Sequence, residues 1–203
     1  MNPSERPAHV ERFLEKVRST FEQARPDPET AACLDRVVTA LARPGDPGRN
    51  EPARLPACDF LEEALEPARL AGGALEELAL EIARIDPHLC WRRRGGAAPM
   101  ASPSFGDGHA NAMIVGPGGL EDRRDVWVGI SLLTPEVRYP DHTHSPEEIY
   151  LVLTRGEFRQ ADGVWFEPGV GGTFYNEPGI LHAMASGGKP LLAVWCLLED
   201  RHG

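Results

Sequence analysis

The sequence predicts a mainly β domain of the jelly-roll type that follows an α-helical N-terminal region. Apolar residues recur at helical spacing in the first half, whereas the chain after about residue 110 consists of short β-branched or aromatic runs separated by Gly, Pro and Asp. Many short strands at regular spacing are typical of antiparallel sandwiches and barrels. We therefore predict a helical region over residues 1–98 and a β-barrel over residues 99–203.

Apolar stripes predict the first two helices. The first stripe comprises Val10, Phe13, Leu14, Val17 and Phe21. The second helix should begin at Asp27, which can cap it ahead of Pro28, and should continue to about Leu41. The loop 43–48 is rich in proline and glycine and should end this helical pair.

Two further helices are predicted before the β region. Asp59 can cap a helix that runs through Leu70, although Pro67 should kink or shorten it because proline lacks a backbone N–H. Apolar positions over 75–85 predict the last helix, which should stop at Asp86. We interpret these helices as packing elements without chemistry of their own.

The β region is predicted from its β-branched and aromatic runs. These runs are residues 113–115, 126–130, 149–153, 163–166, 173–175 and 191–198. Turn signals at 117–119, 161–163 and 168–169 suit antiparallel hairpins. A predicted metal site lies within this barrel.

Composition limits the function classes. The net charge of −10 at pH 7 argues against nucleic acid and anionic membrane surfaces as partners, since both require a basic footprint. Cys33, Cys58, Cys90 and Cys196 are widely separated and are predicted to be free thiols. With no signal-peptide pattern and no apolar run of membrane-spanning length, we expect a cytoplasmic protein. Its expected partner is a small-molecule substrate, and the sequence is compatible with a homo-oligomer.

The motif of residues 142–148, together with His182, supplies three imidazoles and a carboxylate. If the chain is extended from 142 to 150, then His142, His144, Glu148 and Tyr150 share one face. Several polar side chains on one face of an otherwise apolar strand are costly unless they bind something. The set is therefore predicted to hold one divalent transition metal ion: Fe, Zn, Mn, Co or Ni.

The histidines of this motif could also have purely structural roles. A single histidine is usually a hydrogen-bonded core residue, and a His-x-His pair is often part of a surface loop. Glu147 competes with Glu148 as the carboxylate ligand. We expect Glu148, because its position matches the alternation of His142 and His144 whereas Glu147 should face outward.

Both motifs resemble those of the cupin superfamily, namely His-x-His-x-x-x-Glu over 142–148 and Pro-Gly-x-x-His over 178–182. The chain has Glu136 where cupins usually have a glycine and Ser186 where they usually have an asparagine, and neither position is a ligand. The segment 139–153, with 112–117 and 176–184, is similar to the cupin-type dimethylsulfoniopropionate lyases. This resemblance covers about residues 110–198.

The resemblance implies a β-elimination that cleaves dimethylsulfoniopropionate to dimethyl sulfide and acrylate at a metal held by the three histidines and Glu148. It implies that Tyr150 is the metal-proximal base and that Tyr139 is the competing candidate. An aromatic wall would suit the cationic sulfonium. Trp195 and Tyr139 are the better candidates for it, whereas Trp165 and Phe174 are expected to be ordinary barrel core.

Two rival functions fit the same ligand set. One is a cupin dioxygenase that uses iron and oxygen on another small carboxylate or thiol, and the other is a non-catalytic ligand-binding cupin. Tyr139, Tyr150 and the oxygen dependence of any reaction would distinguish the lyase from both.

Overall fold

The computed structural model describes residues 5–199; residues 1–4 and 200–203, the outer ends of the two predicted regions, lie outside this range. The α-helices are α1 (Ala8–Ala24), α2 (Pro28–Leu41), α3 (Leu61–Ala71), α4 (Gly73–Ile85) and α5 (Phe105–Gly108). Turns of 3₁₀-helix cover Pro56–Phe60 and Asp86–His88. The strands are β1 (Asp46–Pro47), β2 (Trp91–Arg92), β3 (His109–Val115), β4 (Glu121–Asp122), β5 (Val126–Leu133), β6 (Glu147–Val152), β7 (Glu157–Gln160), β8 (Thr173–Asn176), β9 (His182–Ala185) and β10 (Leu191–Leu198).

The strands form a large sheet in the order β1-β4-β3-β5-β10-β6-β8, with β2 also paired to β3, and a smaller sheet of β7 and β9. Apart from a short parallel contact between β3 and β4, the paired strands run antiparallel. Isolated bridges connect Arg138 to Ala185 and His142 to His182, so that β9 also borders the segment before β6. The predicted mainly β cupin barrel with a helical N-terminal region is confirmed.

The large sheet separates two buried layers. Along β10, Val194 and Cys196 belong to one apolar cluster with the buried faces of α1 to α4. The alternate residues Ala193 and Trp195 belong to a second cluster, together with Tyr139 and Tyr150. The period-2 alternation of strands thus directs one face to the helices and the other to the barrel interior. The predicted division at residue 98 stays a prediction, and β2 precedes it while pairing with β3.

The first two helices agree with their sequence patterns. All five members of the first stripe are buried on α1. The helix α2 begins at Pro28, and a carboxylate oxygen of Asp27 accepts a hydrogen bond from the backbone N–H of Thr30 at 2.8 Å. This is the expected capping contact.

The third helix differs from its prediction. It begins at Leu61 after a 3₁₀ turn, so Asp59 is not its cap, and it continues through Pro67 to Ala71. Ala64, Leu65 and Ala68 on either side of the proline are buried. Tertiary packing of an apolar face therefore outweighs the hydrogen bond that the proline cannot donate.

One predicted strand is wrong. Residues 163–166 form no strand; Phe166 makes only an isolated bridge to Phe158, and Val164 is 86% exposed. The Gly163 N–H donates to the Gln160 carbonyl and closes a tight turn, so that only Phe166, beyond this turn, pairs with Phe158 of β7. The preceding strand, β7, was not predicted because its sequence Glu-Phe-Arg-Gln is largely polar.

The four cysteines are free, as predicted. Within residues 5–199, no helix combines the length and the apolar character that crossing a bilayer would require.

Candidate metal and catalytic site

Three imidazoles converge in the barrel interior. Ring nitrogens of His142, His144 and His182 lie within 4.8 Å of one another, close enough for one ion to be bound by all three. The ring centroids of His142 and His182 are 4.1 Å apart, and those of His144 and His182 are 4.9 Å apart. Side chains from two distant parts of the sequence therefore meet as the motif spacing predicted.

Backbone hydrogen bonds orient all three rings. The Nδ1 atoms of His142, His144 and His182 contact the carbonyl oxygens of Pro140, Pro146 and Ile180 at 2.9, 2.9 and 3.0 Å. Donation from Nδ1 to a carbonyl fixes the tautomer and leaves Nε2 as the acceptor that a metal requires. This is the arrangement that metal-ligating histidines usually show.

Glu148 joins the cluster from β6. One of its carboxylate oxygens, Oε2, lies 3.3 Å from Nε2 of His144 and 3.3 Å from Nε2 of His182. The His182 Nε2 atom is buried and forms no hydrogen bond of normal geometry. A buried polar atom without a partner is costly, and a metal ion between these groups would satisfy it. The residues thus fit the metal that the sequence predicts.

The polypeptide does not reach this geometry by the predicted route. The strand β6 begins only at Glu147, so the expectation of an extended chain from 142 to 150 is wrong. His142 is held instead by paired backbone hydrogen bonds with His182, at 3.0 and 2.9 Å. The turn before β9 supports the motif, because the Gly179 N–H donates to the His144 carbonyl at 2.9 Å. The backbone φ angle of Gly179 is 77°, a conformation that favours glycine.

The alternation within β6 itself agrees with the prediction. Glu148 and Tyr150 are buried on the interior side, whereas Glu147 binds Arg36 of α2 at 2.6 Å and accepts from the Tyr175 hydroxyl at 3.0 Å. Glu147 therefore faces the helices and lies outside the histidine cluster.

The electrostatics of the cluster suit metal binding. Burial and then the neighbouring His182 lower the pKa of His142 to about 4, and burial lowers the pKa of His182. Burial opposes the charged form of Glu148, but the His144 hydrogen bond and nearby His182 lower its pKa overall. Burial also opposes the charged form of His144, but the contact with Glu148 outweighs it and raises the pKa of His144 overall. The cluster thus favours neutral imidazoles at His142 and His182 and an ionised carboxylate at Glu148, which are the forms that bind metals.

Tyr150 lies beside the cluster, two residues after Glu148. Its ring stacks on Phe174 with centroids 5.0 Å apart, and it contacts Phe158 at 5.6 Å. Burial, followed by the charge of Glu148, raises the pKa of Tyr150 well above its ordinary value of 10. Phe174 is only partly buried and is part of the wall around Tyr150.

Tyr139 lies against His142 of the cluster. Its ring centroid is 5.0 Å from that of His142, and its hydroxyl accepts a hydrogen bond from Nδ2 of Asn111 at 3.0 Å. Burial raises the pKa of Tyr139 to about 12, and the Asn111 hydrogen bond acts in the opposite direction. The sequence reasoning missed Asn111.

Another missed residue is Asn176 on β8. It is fully buried opposite Glu148 in the strand register, and its Nδ2 donates to Glu148 Oε2 at 2.9 Å. The Gln160 side chain donates to Asn176 Oδ1 at 2.7 Å. The sequence itself offered only an asparagine two residues before Pro178, without any indication that it is buried or contacts Glu148.

The two tryptophans occupy different environments. Trp195 is buried in the interior cluster, where its Nε1 donates to the Ser131 hydroxyl at 3.0 Å. Trp165 is not barrel core, contrary to our expectation. It is half-buried, and the guanidinium groups of Arg138 and Arg159 lie 5.5 and 5.4 Å from its ring centroid. These two guanidinium groups already lie over the Trp165 ring and make the cation–π contacts that a sulfonium would otherwise make with it.

The fold and the site together define a cupin barrel whose interior histidine cluster can hold a metal ion. The sequence profile of the dimethylsulfoniopropionate (DMSP) lyase family matches residues 29–193. The chain therefore belongs to that family.

Individual relatives agree with this membership. A Cereibacter sphaeroides protein provisionally named dimethylsulfoniopropionate lyase DddL is 26% identical over 132 residues, which are 64% of this chain and 55% of that protein. The match thus spans little more than half of the relative. The crystal structure of DMSP lyase DddQ from Ruegeria pomeroyi has a TM-score of 0.75 at 20% identity, covering 96% of this chain and 93% of that chain.

A further similar chain comes from the crystal structures of the DMSP lyases RdDddP and RnDddQII. Its TM-score is 0.69 at 20% identity, with 97% of this chain and 95% of that chain covered. At this level of identity the structural similarity demonstrates the fold alone, helices included.

Proposed function

We propose that this protein is a metal-dependent carbon–sulfur lyase that cleaves dimethylsulfoniopropionate to dimethyl sulfide and acrylate by base-promoted β-elimination. The observation that carries the proposal is the meeting of three histidines and a buried carboxylate beside two tyrosines, within a member of this family. Family membership supports the proposed substrate class, and the tyrosines offer the base that an elimination requires.

We assign His142, His144, Glu148 and His182 as the residues that hold one divalent ion of Fe, Zn, Mn, Co or Ni. Their nitrogen and oxygen donors suit any of these metals. When bound, the metal would supply Lewis acidity, which stabilises the negative charge that develops on the substrate carboxylate.

The reaction then needs one base from the protein. Burial raises the pKa of both tyrosines, whereas a bound divalent cation would favour the phenolate form. The phenolate removes a proton from the carbon next to the carboxylate, and the electron pair forms the carbon–carbon double bond as the carbon–sulfur bond breaks. The sulfonium takes the bonding pair and leaves as neutral dimethyl sulfide, so no acid is required. Acrylate remains, and the tyrosine carries the proton.

Tyr150 and Tyr139 are the candidate bases. Tyr150 shares a strand face with Glu148, and Tyr139 lies against His142 with its hydroxyl bonded to Asn111. Both phenols are buried, at 4% and 5% exposure, so both can act in a site from which bulk water is excluded. Tyr139 and Trp195 are the aromatic surfaces proposed to face the sulfonium.

Paired single substitutions identify the base. We expect Tyr150→Phe to lower turnover by at least about a hundredfold, the usual contribution of a general base, with metal content unchanged. Release of dimethyl sulfide and bound metal would be measured for Tyr150→Phe and Tyr139→Phe in parallel. Full activity of the first variant together with loss of activity in the second would transfer the role to Tyr139.

Substitution of His182 tests the ligand set separately. His182→Ala should lose the metal, because the change removes one of the three imidazoles around a common point. Elemental analysis of the purified variant gives the metal content. A fully metallated His182→Ala protein would contradict the assignment.

A further inference from the structure

A chain of hydrogen bonds connects Trp195 to Tyr139 across three neighbouring strands. Trp195 Nε1 donates to Ser131 Oγ at 3.0 Å, and Ser131 Oγ donates to Asn111 Oδ1 at 2.7 Å. Asn111 Nδ2 then donates to the Tyr139 hydroxyl oxygen at 3.0 Å. We call these four residues the tyrosine relay.

The direction of the relay is fixed by its first member. An indole nitrogen can only donate, so Ser131 must accept from Trp195 and is left with its hydroxyl proton for another partner. That partner, Asn111 Oδ1, can only accept. The amide group of Asn111 therefore presents its N–H to Tyr139, and the assignment of its oxygen and nitrogen follows from the network.

The strand register explains why these residues meet. Asn111 of β3 is paired directly with Ser131 of β5, and Trp195 of β10 is paired with Gly129, two residues from Ser131 on the same face. A Cβ atom at position 129 would overlap the Trp195 ring. The absence of a side chain at Gly129 thus lets the indole lie across β5 and reach Ser131.

We propose that Asn111 is a positioning residue, held by Ser131 and Trp195, that keeps the Tyr139 oxygen as a hydrogen-bond acceptor. Because Asn111 occupies one side of that oxygen as a donor, the Tyr139 hydroxyl proton must point elsewhere. Among the described residues, no acceptor for that proton is found beside the histidine cluster, so the hydroxyl is free to donate to the carboxylate of a bound substrate. This proposal rests on the proposed function.

A double-mutant cycle tests whether Asn111 acts through Tyr139. We expect Asn111→Ala to lower kcat for dimethyl sulfide release about tenfold, near the upper end of what one hydrogen bond between neutral groups contributes, with KM and metal content little changed. In a Tyr139→Phe background the same substitution should have no further effect. Independent, multiplying effects, or loss of metal in Asn111→Ala, would overturn the proposal.

The matched control for the cycle is Asn50→Ala. Asn50 also donates its side-chain amide to a carbonyl, that of Gly118, but lies away from the histidine cluster. The control should leave kcat and KM at their wild-type values, which separates the relay from the general loss of an asparagine hydrogen bond.

A measurement on metal-free protein tests the relay without turnover. In ¹H–¹⁵N spectra, the Trp195 indole signal is identified by its loss in Trp195→Phe and the Asn111 amide pair by its loss in Asn111→Ala. Ser131→Ala should shift the first signal and Tyr139→Phe the second. If both signals stay in place, the relay does not exist. If wild-type protein releases no dimethyl sulfide while the signals shift as expected, the proposed function fails and the relay stands.

Discussion

Removing Asn176 should weaken metal binding although this residue is not a proposed ligand. Its Nδ2 donates to Glu148 Oε2 at 2.9 Å, the same oxygen that lies 3.3 Å from two histidine nitrogens. Gln160 donates to Asn176 Oδ1 and so fixes which end of the amide faces Glu148. In Asn176→Ala, the Glu148 carboxylate loses the donor that orients it.

The expected loss follows from that single contact. A hydrogen bond to a charged group contributes about 1.5–3 kcal/mol, which corresponds to roughly 10- to 150-fold in a binding constant. Loss of an outer partner of a metal ligand typically weakens metal affinity by about 10- to 100-fold. We therefore expect Asn176→Ala to raise the Kd for Zn(II) or Co(II) by about 10- to 100-fold.

Competition against a chromophoric chelator measures that Kd. Gln160→Ala should give a smaller increase, because Asn176 remains but loses the contact that fixes its amide. Asn50→Ala again serves as the remote control and should leave the Kd unchanged. Thermal unfolding of each metal-free protein shows whether the variants are folded. A folded Asn176→Ala protein with a Kd within twofold of wild type would refute the reasoning.

Other predictions concern the scaffold. Glu121 is buried with Arg6 and Arg123, so Glu121→Ala should lower the free energy of unfolding in urea by about 3–5 kcal/mol; an unchanged midpoint would contradict this. Although burial raises it, the Arg6 hydrogen bond lowers the pKa of Glu121 below its ordinary 4.5 overall. The stability from this shift is present above pH 4.5 and is lost as the pH falls through the folded-state pKa of Glu121. In Glu121→Gln, the free energy of unfolding should therefore decrease less steeply as the pH falls below 4.5. Gly129→Ala should lower the free energy of unfolding by about 1–3 kcal/mol, because the added methyl group would overlap the Trp195 ring. The same substitution should change the fluorescence of Trp195, and an unchanged emission spectrum would disprove the contact.

Local patterns predicted much of the fold because they depend on single elements. The α1 stripe and the Asp27 cap follow from helix periodicity and capping. The inward position of Glu148 and the outward position of Glu147 follow from alternation along β6. The strand over 191–198 agrees residue for residue, since an uninterrupted apolar run of this length permits few alternatives.

Features that depend on contacts between elements could not be predicted. Asn111 and Ser131 form part of the candidate site only because the β3–β5 register places them opposite each other. The motif histidines converge through backbone bonds between 142 and 182, where sequence alternation suggested a continuous strand. Pro67 is tolerated because its neighbours pack against the core, which no local propensity expresses.

Headspace measurement of dimethyl sulfide tests the central claim most directly. Purified protein would be stripped of metal, reloaded with Fe(II), Mn(II), Zn(II), Co(II) or Ni(II), and mixed with dimethylsulfoniopropionate in air and under anaerobic conditions. We predict release that requires metal, that is independent of oxygen, and that is matched mole for mole by acrylate. Fully metallated protein that releases no dimethyl sulfide, or that consumes oxygen in proportion to substrate lost, would contradict the lyase assignment.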